Sequence, residues 1–230
     1  MIGIIGAMDI EVEKLSGLLE NVRREKISNI DFCQGKIGDT QIVIAKCGVG
    51  KVFAAVCAEA MIMKYKPDIV VNIGVAGGLS KTLNIGDIVI ADSVVQHDMD
   101  TTALGDERGF LSEIGLVKIP ADKKVLDALE KACRSIEINY EVGTIASGDA
   151  FVSGNEKKEF IRKTFSAKAC EMEGASIGQV CFVNKVPFGV LRAISDGAND
   201  SADMDFPAFA AMAAENSAKV IAKFIDAIKR

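Results

Sequence analysis

The sequence predicts an α/β fold in which a mixed central sheet is covered by helices on both of its faces. Short apolar runs typical of buried strands alternate with segments whose apolar residues recur at helical spacing. Two early strand-like segments are joined at Gly38-Asp39-Thr40, which predicts a β-hairpin and therefore some antiparallel pairing. No linker is visible in the composition, so residues 1–230 are expected to form a single domain.

The first predicted elements are a strand, a helix and the hairpin. The β-branched run Ile2–Ile5 predicts a strand that ends in a glycine turn. A helix is expected over Asp9–Leu19, because its leucines recur at helical spacing. The hairpin strands are expected at Ile27–Ile37 and Gln41–Cys47, where apolar and polar residues alternate.

The middle of the chain predicts one helix and two strands. Val52–Tyr65 carries an apolar helical face, and Pro67 ends this region. A buried strand is expected over Asp68–Ile73, followed by a glycine-rich turn at Gly74–Leu79. Ile85–Val95 predicts the next strand, which leads into a long loop.

The elements after the long loop are a helix, a strand and a second helix. Ala121–Ser135 predicts an amphipathic helix, and Tyr140–Ile145 predicts a strand. The second helix ends at Phe165 and is expected to be capped by Ser153 or Asn155.

The last part of the chain predicts a strand, a helix, a strand and a long final helix. The two strands are expected at Ala167–Met172 and Pro187–Ile194, with a helix over Gly174–Val183 between them. Phe206–Ile228 is rich in alanine and predicts a helix packed along the sheet.

Composition argues against several classes of function. The net charge is −5 and the charges are scattered, whereas a nucleic-acid groove requires a basic stripe. No apolar run is long enough for a membrane helix, and the first residues lack the basic region of a signal peptide. We therefore expect a cytoplasmic protein. The cysteines form no CxxC pair and are expected to be buried thiols in a reducing compartment: Cys33, Cys47, Cys57, Cys133, Cys170 and Cys181.

Polar side chains follow two neighbouring predicted strands. Glu171 and Glu173 end the first of them, and Arg192, Ser195 and Asp196 end the second. Each group alone has a structural explanation, as acids that favour a helix dipole or as a polar turn. Because α/β sheets bind ligands at the carboxyl ends of their strands, the two groups together predict a site.

The first glycine turn does not match a known phosphate-binding pattern. It lacks the spacing G-x-G-x-x-G, and the later G-V-G-K turn lacks the spacing of a P-loop. Glu11 and Glu13 lie in the first helical turn, where an anion would otherwise bind. Glu13 is expected to be a surface residue, whereas this pattern leaves the role of Glu11 open.

Two single residues have more than one interpretation. His97 is the only histidine and has no second His or Cys nearby, so a structural or interface role is favoured over metal binding. We therefore expect neither a metal nor a cofactor. Phe151 lies in a glycine-flanked loop after a strand, where it fits either stacking on a flat ligand or filling the loop.

Six turns with candidate residues follow the predicted strands, and their convergence on one edge of the sheet predicts an enzyme with one pocket. The chemistry available is carboxylates and one arginine, with no histidine or cysteine placed as a nucleophile. Paired carboxylates beside an aromatic side chain suit acid–base cleavage of a glycosidic bond through an oxocarbenium-like state.

An ordered set of motifs carries a family resemblance across nearly the whole chain: GIIGAM-x-x-E, GVGKV, NIGVAGGL, HDMD, SGDAF, EMEGA and RAISD. In this order they resemble the 5′-methylthioadenosine/S-adenosylhomocysteine nucleosidases of the nucleoside phosphorylase superfamily. The resemblance implies a nucleoside phosphorylase-like, three-layer αβα sandwich that forms a homodimer. It also implies hydrolysis of the bond between adenine and a 5′-thio-substituted ribose, in methionine salvage and methyl-cycle recycling.

The resemblance also implies roles for individual residues. Asp196 resembles the acid that protonates purine N7, and Glu11 resembles the residue that activates water, helped by Arg192. Glu173 resembles the acceptor for the ribose hydroxyls, and Phe151 would stack on adenine. Predicted substrate-binding residues are Met8, Val49, Val75, Gly77, Phe151, Val152, Glu171, Met172, Glu173, Ser195 and Phe206.

The sequence departs from the family pattern at three positions. Val75 stands where a serine is common, so a side-chain hydrogen bond is lost there. Thr101 and Leu104 stand in the 101–111 loop, which the resemblance places near the partner's pocket. The ranking of methylthioadenosine, S-adenosylhomocysteine, 5′-deoxyadenosine and aminodeoxyfutalosine as substrates stays open.

Two further hypotheses remain. One is a phosphorylase of the same superfamily, which the carboxylate of Glu11 disfavours. The other is a non-catalytic nucleoside-binding module, which would not need an acid at Asp196.

Overall fold

The computed structural model describes residues 1–197 and 206–228, and for residues 206–208 the backbone alone. The strands are β1 (Ile2–Gly6), β2 (Glu20–Ile27), β3 (Ile30–Ile37), β4 (Thr40–Lys46), β5 (Ile69–Gly78), β6 (Ile88–Gln96), β7 (Ile119–Pro120), β8 (Tyr140–Ser147), β9 (Ala167–Glu171) and β10 (Phe188–Asp196). The helices are α1 (Asp9–Ser16), α2 (Lys51–Tyr65), α3 (Lys123–Ser135), α4 (Asn155–Phe165), α5 (Gly174–Val183) and α6 (Phe206–Ala227).

Within the described residues these strands form one mixed sheet. Strand β5 pairs in parallel with β1 and β10 and antiparallel with β9, whereas β6 pairs in parallel with β8 and antiparallel with β10. Because β8 also pairs with β9, the strands β5, β10, β6, β8 and β9 close into a ring. Strands β1, β4, β3 and β2 extend the sheet from β5. The predicted mixed sheet is confirmed, and its partial closure was not predicted.

Helices cover both faces of the sheet, as predicted. Helices α2 and α5 pack against each other and share a core with one face. Helices α1, α3 and α6 share a second core with the other face. A smaller apolar cluster joins α4 to the ends of β8 and β9. No helix in the described ranges is long and apolar enough to cross a membrane.

The sequence prediction was wrong between residues 17 and 27. Helix α1 ends at Ser16, and residues 20–27 form the strand β2. This strand lies at the edge of the sheet with mostly exposed, charged side chains, so it lacks the apolar alternation that identifies a strand. Ser28 and Asn29 then form a two-residue turn with φ of 50° and 62°, the conformation that favours a tight hairpin.

The glycine-rich segment after Ile73 was also predicted wrongly, because it continues β5 instead of forming a turn. Gly74 pairs with Arg192, and Gly77 pairs with Cys170 on the neighbouring strand. A β-carbon at Gly74 would lie 2.6 Å from side-chain atoms of Arg192 and Glu11. The glycines therefore let side chains from other elements pack directly on the backbone of β5.

The start of α4 differs from the prediction as well. Its N-cap is Gly154, with φ of 86° and no side-chain cap bond, so neither Ser153 nor Asn155 caps it. Helix α3 begins at Lys123 instead of Ala121, because the side chain of Asp122 accepts hydrogen bonds from the amides of Lys124 and Val125.

Candidate active site

One pocket lies at the carboxyl ends of the central strands, where the turns after β1, β4, β8 and β9 meet residues of β5 and β10. Five predicted residues in its lining come from the first half of the chain: Met8, Glu11, Val49, Val75 and Gly77. Seven more predicted residues from the second half complete it: Phe151, Val152, Glu171, Met172, Glu173, Ser195 and Asp196. The structure thus brings together twelve predicted site residues, whose individual roles stay predictions.

Two predicted residues need separate description. Arg192 lies beneath the pocket with a side chain that is 1% exposed, in contact with the carboxylates of that pocket. The side chain of Phe206 falls outside the described residues, although helix α6 begins at this position.

Glu11 fills the amino-terminal end of its own helix. One carboxylate oxygen accepts hydrogen bonds from the amides of Ala7 at 2.7 Å and Met8 at 3.0 Å, and the other accepts from the amide of Val75 at 3.1 Å. Burial raises the pKa of Glu11 above its ordinary value, and Arg192 with these amides offsets the effect only in part. A carboxylate with a raised pKa is better suited to accept a proton near neutral pH.

Arg192 forms hydrogen bonds through two of its three guanidinium nitrogen atoms. Its Nε donates to Glu171 Oε2 at 3.0 Å, and its Nη2 donates to the same carboxylate and to Asn72 Oδ1 at 2.6 Å. Nη1 has no hydrogen-bond partner among the described residues. Nη1 and Glu11 Oε1 both face the space over Gly74, each 2.6 Å from where a β-carbon would lie, and they form no hydrogen bond or ion pair with each other.

Glu171 and Glu173 have different environments although only one residue separates them. Burial acts to raise the pKa of Glu171, but Arg192, the Ser147 hydroxyl and the Gly174 amide outweigh it and lower that pKa below its ordinary value. Burial and the charge of Glu171 raise the pKa of Glu173 to about 7. Glu171 therefore holds Arg192 as a carboxylate, whereas Glu173 is poised to change its charge near neutral pH.

Asp196 is held by two side chains. Its Oδ2 accepts a hydrogen bond from Lys158 Nζ at 2.8 Å, and its Oδ1 accepts one from Ser195 Oγ at 3.1 Å. The carboxylate lies close over Gly77, where a β-carbon would be 3.1 Å from Oδ2. Asp196 is therefore buried, lines the pocket and has a fixed orientation.

Part of the pocket lining is apolar. Phe151 is 53% exposed in the loop after β8, and Val152 beside it is buried. Met8, Val49 and Met172 complete this apolar lining. A flat apolar ligand with a few polar groups suits a pocket that is lined by apolar side chains and carboxylates.

The turn after β4 ties helix α2 to the pocket. The Gly50 amide donates to Glu173 Oε1 at 2.9 Å, and the Lys51 amide donates to Asp149 Oδ1 at 2.8 Å. His97 is buried against Gly148, outside the pocket lining. No group of three or more His, Cys, Asp or Glu side chains in the described part of the chain is arranged to hold a metal ion.

Comparison with known proteins identifies the family of this chain. The phosphorylase superfamily matches residues 1–226. A 5′-methylthioadenosine/S-adenosylhomocysteine nucleosidase of Staphylococcus aureus (strain JH9) is 38% identical over 98% of this chain and 99% of its own length. The chain belongs to this nucleosidase family.

Solved structures of similar proteins support membership in this family. The Neisseria meningitidis nucleosidase in complex with methylthio-immucillin-A has a TM-score of 0.94 and 38% identity, covering 97% of both chains. The futalosine hydrolase of Helicobacter pylori has a TM-score of 0.92 and 36% identity, covering 98% of this chain and 97% of its own. The predicted nucleoside phosphorylase-like fold is therefore confirmed.

The sequence analysis did not identify three polar residues that form hydrogen bonds with predicted site residues. Ser147 donates to Glu171, Asn72 holds Arg192, and Lys158 holds Asp196. Asn72 was detectable as the one polar residue within the apolar run I-V-V-N-I-G of β5. Lys158 was not detectable, because it lies in a charged run that resembles an ordinary solvated helix face.

Proposed function

We propose that this protein hydrolyses the N-glycosidic bond of 5′-methylthioadenosine and S-adenosylhomocysteine, releasing adenine and a 5-thio-substituted ribose. The observation that carries the proposal is the position of Glu11, whose carboxylate occupies the helix end beneath the pocket. Family membership and the four carboxylates that line the pocket support the same reaction. 5′-Deoxyadenosine fits the same chemistry, because its adenine leaving group is identical.

Hydrolysis is favoured over phosphorolysis by electrostatics. A phosphorylase must bind a phosphate dianion beneath the ribose, commonly at a helix amino terminus. Here Glu11 already accepts hydrogen bonds from the amides at the start of its helix. Repulsion between this carboxylate and a phosphate charge about 4 Å away would cost on the order of 1 to 4 kcal/mol per charge pair. Water carries no charge and gains from a nearby base, so it is the better nucleophile for this site.

Three of these carboxylates then act on the reactants, while Glu171 holds Arg192. Asp196 protonates adenine N7, which lets the bond between C1′ and N9 break with its electron pair on the base. Glu11 takes a proton from water as the oxygen attacks C1′, and the open Nη1 of Arg192 donates a hydrogen bond to that water. Glu173 accepts the ribose hydroxyls, with Met172 packed against the sugar.

The apolar wall binds the two ends of the substrate. Phe151 stacks on adenine, and the backbone of Val152 reads the edge of the base. Met8 and Val49 contact the 5′-thio group. Ser195, Val75 and Gly77 line the floor between these ends, where a small or apolar side chain leaves room for the nucleoside.

We also propose that the protein is a homodimer. Val52 and Phe53 at the start of α2 are 72% and 60% exposed, and they adjoin Val49, which is itself exposed and lines the pocket. Leu104, in the loop spanning residues 101–111, is 83% exposed. Apolar surface next to an open pocket is typical of an interface, and a second copy whose 101–111 loop covers it would complete the 5′ side.

Three broader expectations belong to the same proposal. Residues 1–230 act as one nucleosidase domain, which is supported by the pairing of β5 with both β1 and β10 from opposite ends of the sequence. A cytoplasmic location is supported by six cysteines that are all buried free thiols, as in proteins of a reducing compartment. The partner molecule is a small nucleoside, with no nucleic acid or membrane involved.

The decisive experiment follows product formation from methylthioadenosine with and without phosphate. The purified protein is expected to release adenine and free 5-methylthioribose at a rate that added phosphate does not change. Formation of a ribose 1-phosphate, at a rate that rises with phosphate, would instead place the chain among phosphorylases. Binding of methylthioadenosine without any adenine release would favour a non-catalytic nucleoside-binding module.

A futalosine derivative is the second candidate substrate. The futalosine hydrolase and the 5′-methylthioadenosine/S-adenosyl homocysteine nucleosidase of Helicobacter pylori are each 36% identical to this chain. Identity therefore does not separate the two substrate classes. Competition between methylthioadenosine and aminodeoxyfutalosine in one assay measures the ratio of their kcat/KM values, which ranks them directly.

A further inference from the structure

Lys158 is a buried lysine bound to the predicted acid. Its Nζ donates to Asp196 Oδ2 and to the carbonyl oxygen of Gly197, each at 2.8 Å. The side chains of Lys158 and Asp196 are only 3% and 8% exposed, whereas the adjacent Lys157 on α4 is exposed. Burial of an ammonium is costly unless a charged partner compensates it, so this pair is a built feature of the pocket.

The remaining contacts of Asp196 are neutral. Ser195 Oγ donates to Oδ1 at 3.1 Å and also lies 3.3 Å from the carbonyl oxygen of Ala76, so its hydroxyl has two possible acceptors. Cys170 Sγ lies on the same side of Gly77 as the carboxylate. Within the described residues, Lys158 is the only cation in an ion pair with Asp196.

This geometry distinguishes the two oxygens of Asp196. Oδ2 accepts a hydrogen bond from the Lys158 ammonium, which can only donate. A proton on Oδ2 would therefore point at another donor and would have no acceptor there. Oδ1 faces a hydroxyl that can turn to Ala76 and leave room for a proton. The acid form of Asp196 therefore carries its proton on Oδ1.

We propose that Lys158 is a positioning residue that directs the proton of Asp196 to Oδ1 and stabilises the carboxylate left after that proton moves to the leaving group. This inference rests on the proposed nucleosidase function. In the step, the Oδ1–H bond breaks and an N7–H bond forms, while the C1′–N9 electron pair passes to adenine. The water oxygen binds C1′, its proton passes to Glu11, and Lys158 keeps all its protons.

The contribution of Lys158 is specific to the transition state. Asp196 is neutral when it holds the proton and becomes negative as N7 takes it, at 2.8 Å from the Lys158 ammonium. An interaction that strengthens as charge develops accelerates the chemical step instead of tightening substrate binding. The loss of Lys158 should therefore lower kcat and leave KM nearly unchanged.

The test uses two substrates that share the ribose and differ in the leaving group. One is methylthioadenosine, and the other is the 4-nitrophenyl glycoside of 5-methylthioribose, whose nitrophenolate departs without a proton. Lys158→Met is expected to lower kcat for methylthioadenosine by about 10²–10³-fold, the usual effect of removing one preorganised stabilising group. On the nitrophenyl glycoside its kcat should stay within about threefold of wild type, because no acid is needed.

Matched variants separate this role from a structural one. Lys158→Arg keeps the charge and should retain more adenine release than Lys158→Met, and Lys157→Met should behave as wild type on both substrates. Activity of Lys158→Met on the nitrophenyl glycoside also shows that the variant is folded. An equal loss on both substrates, or no loss on either, would overturn the inference.

Asp196→Asn distinguishes failure of the inference from failure of the proposed mechanism. This variant should lose adenine release by about 10²–10⁴-fold and keep nitrophenolate release, as expected when a general acid is removed. If Asp196→Asn released adenine at a normal rate, the proposed role of Asp196 would be wrong. If only Asp196→Asn showed the selective loss, the proposed function would stand and the role of Lys158 would be wrong.

Discussion

Glu11 and Arg192 reach the space over the backbone of Gly74 from two sides and form no hydrogen bond or ion pair with each other. Their Oε1 and Nη1 atoms would both lie 2.6 Å from a β-carbon at this glycine, and Nη1 has no other partner in the described residues. A base and a cationic donor thus share one small space at the edge of the pocket. That space suits the attacking water of the proposed reaction.

Gly74→Ala should disrupt this arrangement. The added methyl group must displace Glu11 or Arg192, and a misplacement of about 1 Å near reacting groups lowers turnover by roughly 10²-fold. Overpacking should also lower the free energy of unfolding by roughly 1–3 kcal/mol. Adenine release and thermal unfolding measure the two effects. Gly17→Ala, whose β-carbon would lie 3.4 Å from its nearest neighbour, is the control and should keep full activity.

Glu11→Gln should reduce adenine release by about 10²–10⁴-fold, because an amide cannot take the proton from water. Binding of methylthioadenosine, measured by calorimetry on the inactive variant, should remain close to wild type since the side chain keeps its shape. The exposed Glu13→Gln is the matched control on the same helix and should be fully active. Normal turnover by Glu11→Gln would contradict both the base and the hydrolytic mechanism.

Glu173→Gln should change how stability depends on pH. Burial and Glu171 raise the pKa of Glu173 from 4.5 to about 7, so the folded protein holds a proton that the unfolded chain has already released. The contribution of Glu173 to stability therefore falls as the pH rises from about 4.5 to about 7, by at most about 3 kcal/mol.

The measurement is the Tm of wild type and of Glu173→Gln at pH 5 and at pH 8. Because glutamine does not titrate, the Tm of the variant relative to wild type should be higher at pH 8 than at pH 5. Glu11, Glu171 and Arg192 are present in both proteins, so the difference between the two curves reports Glu173 together with its interactions with these neighbours. A Tm difference that is the same at both pH values would contradict the raised pKa.

Phe53→Glu should separate the proposed homodimer. Phe53 is 60% exposed on the described chain, so a charged replacement costs the single chain little but is expensive inside an apolar interface. Light scattering should give the mass of one chain, with reduced activity because the pocket loses its partner loop. Leu18→Glu, in the turn after α1 and therefore next to the helical layer opposite α2, is the control for an exposed apolar residue and should keep the dimer. An active monomer in the wild type would contradict the proposal.

The sequence by itself determined the fold class and the edge of the sheet where the pocket lies. Apolar periodicity and turn residues are local patterns, so β1, α2, β9, α5 and β10 could be predicted from neighbours a few residues apart. Because strand ends in an α/β sheet converge, the sequence predicted that Glu11, Glu173 and Asp196 lie at one edge of the sheet. The ordered motifs supplied the family, which the comparisons then confirmed.

Only the tertiary structure decided which charges are buried and what they bind. Lys157 and Lys158 are adjacent lysines with nearly the same local sequence. Lys158 is nevertheless buried and bonds to Asp196, 38 positions away, whereas Lys157 is exposed. Glu171 and Glu173 likewise differ through Arg192 and Ser147, which come from other strands. The exposed strand β2 and the closed ring of strands depend on pairing partners, not on local pattern. Desolvation and ion pairing act between residues that are distant in sequence, so local sequence does not encode them in a readable form.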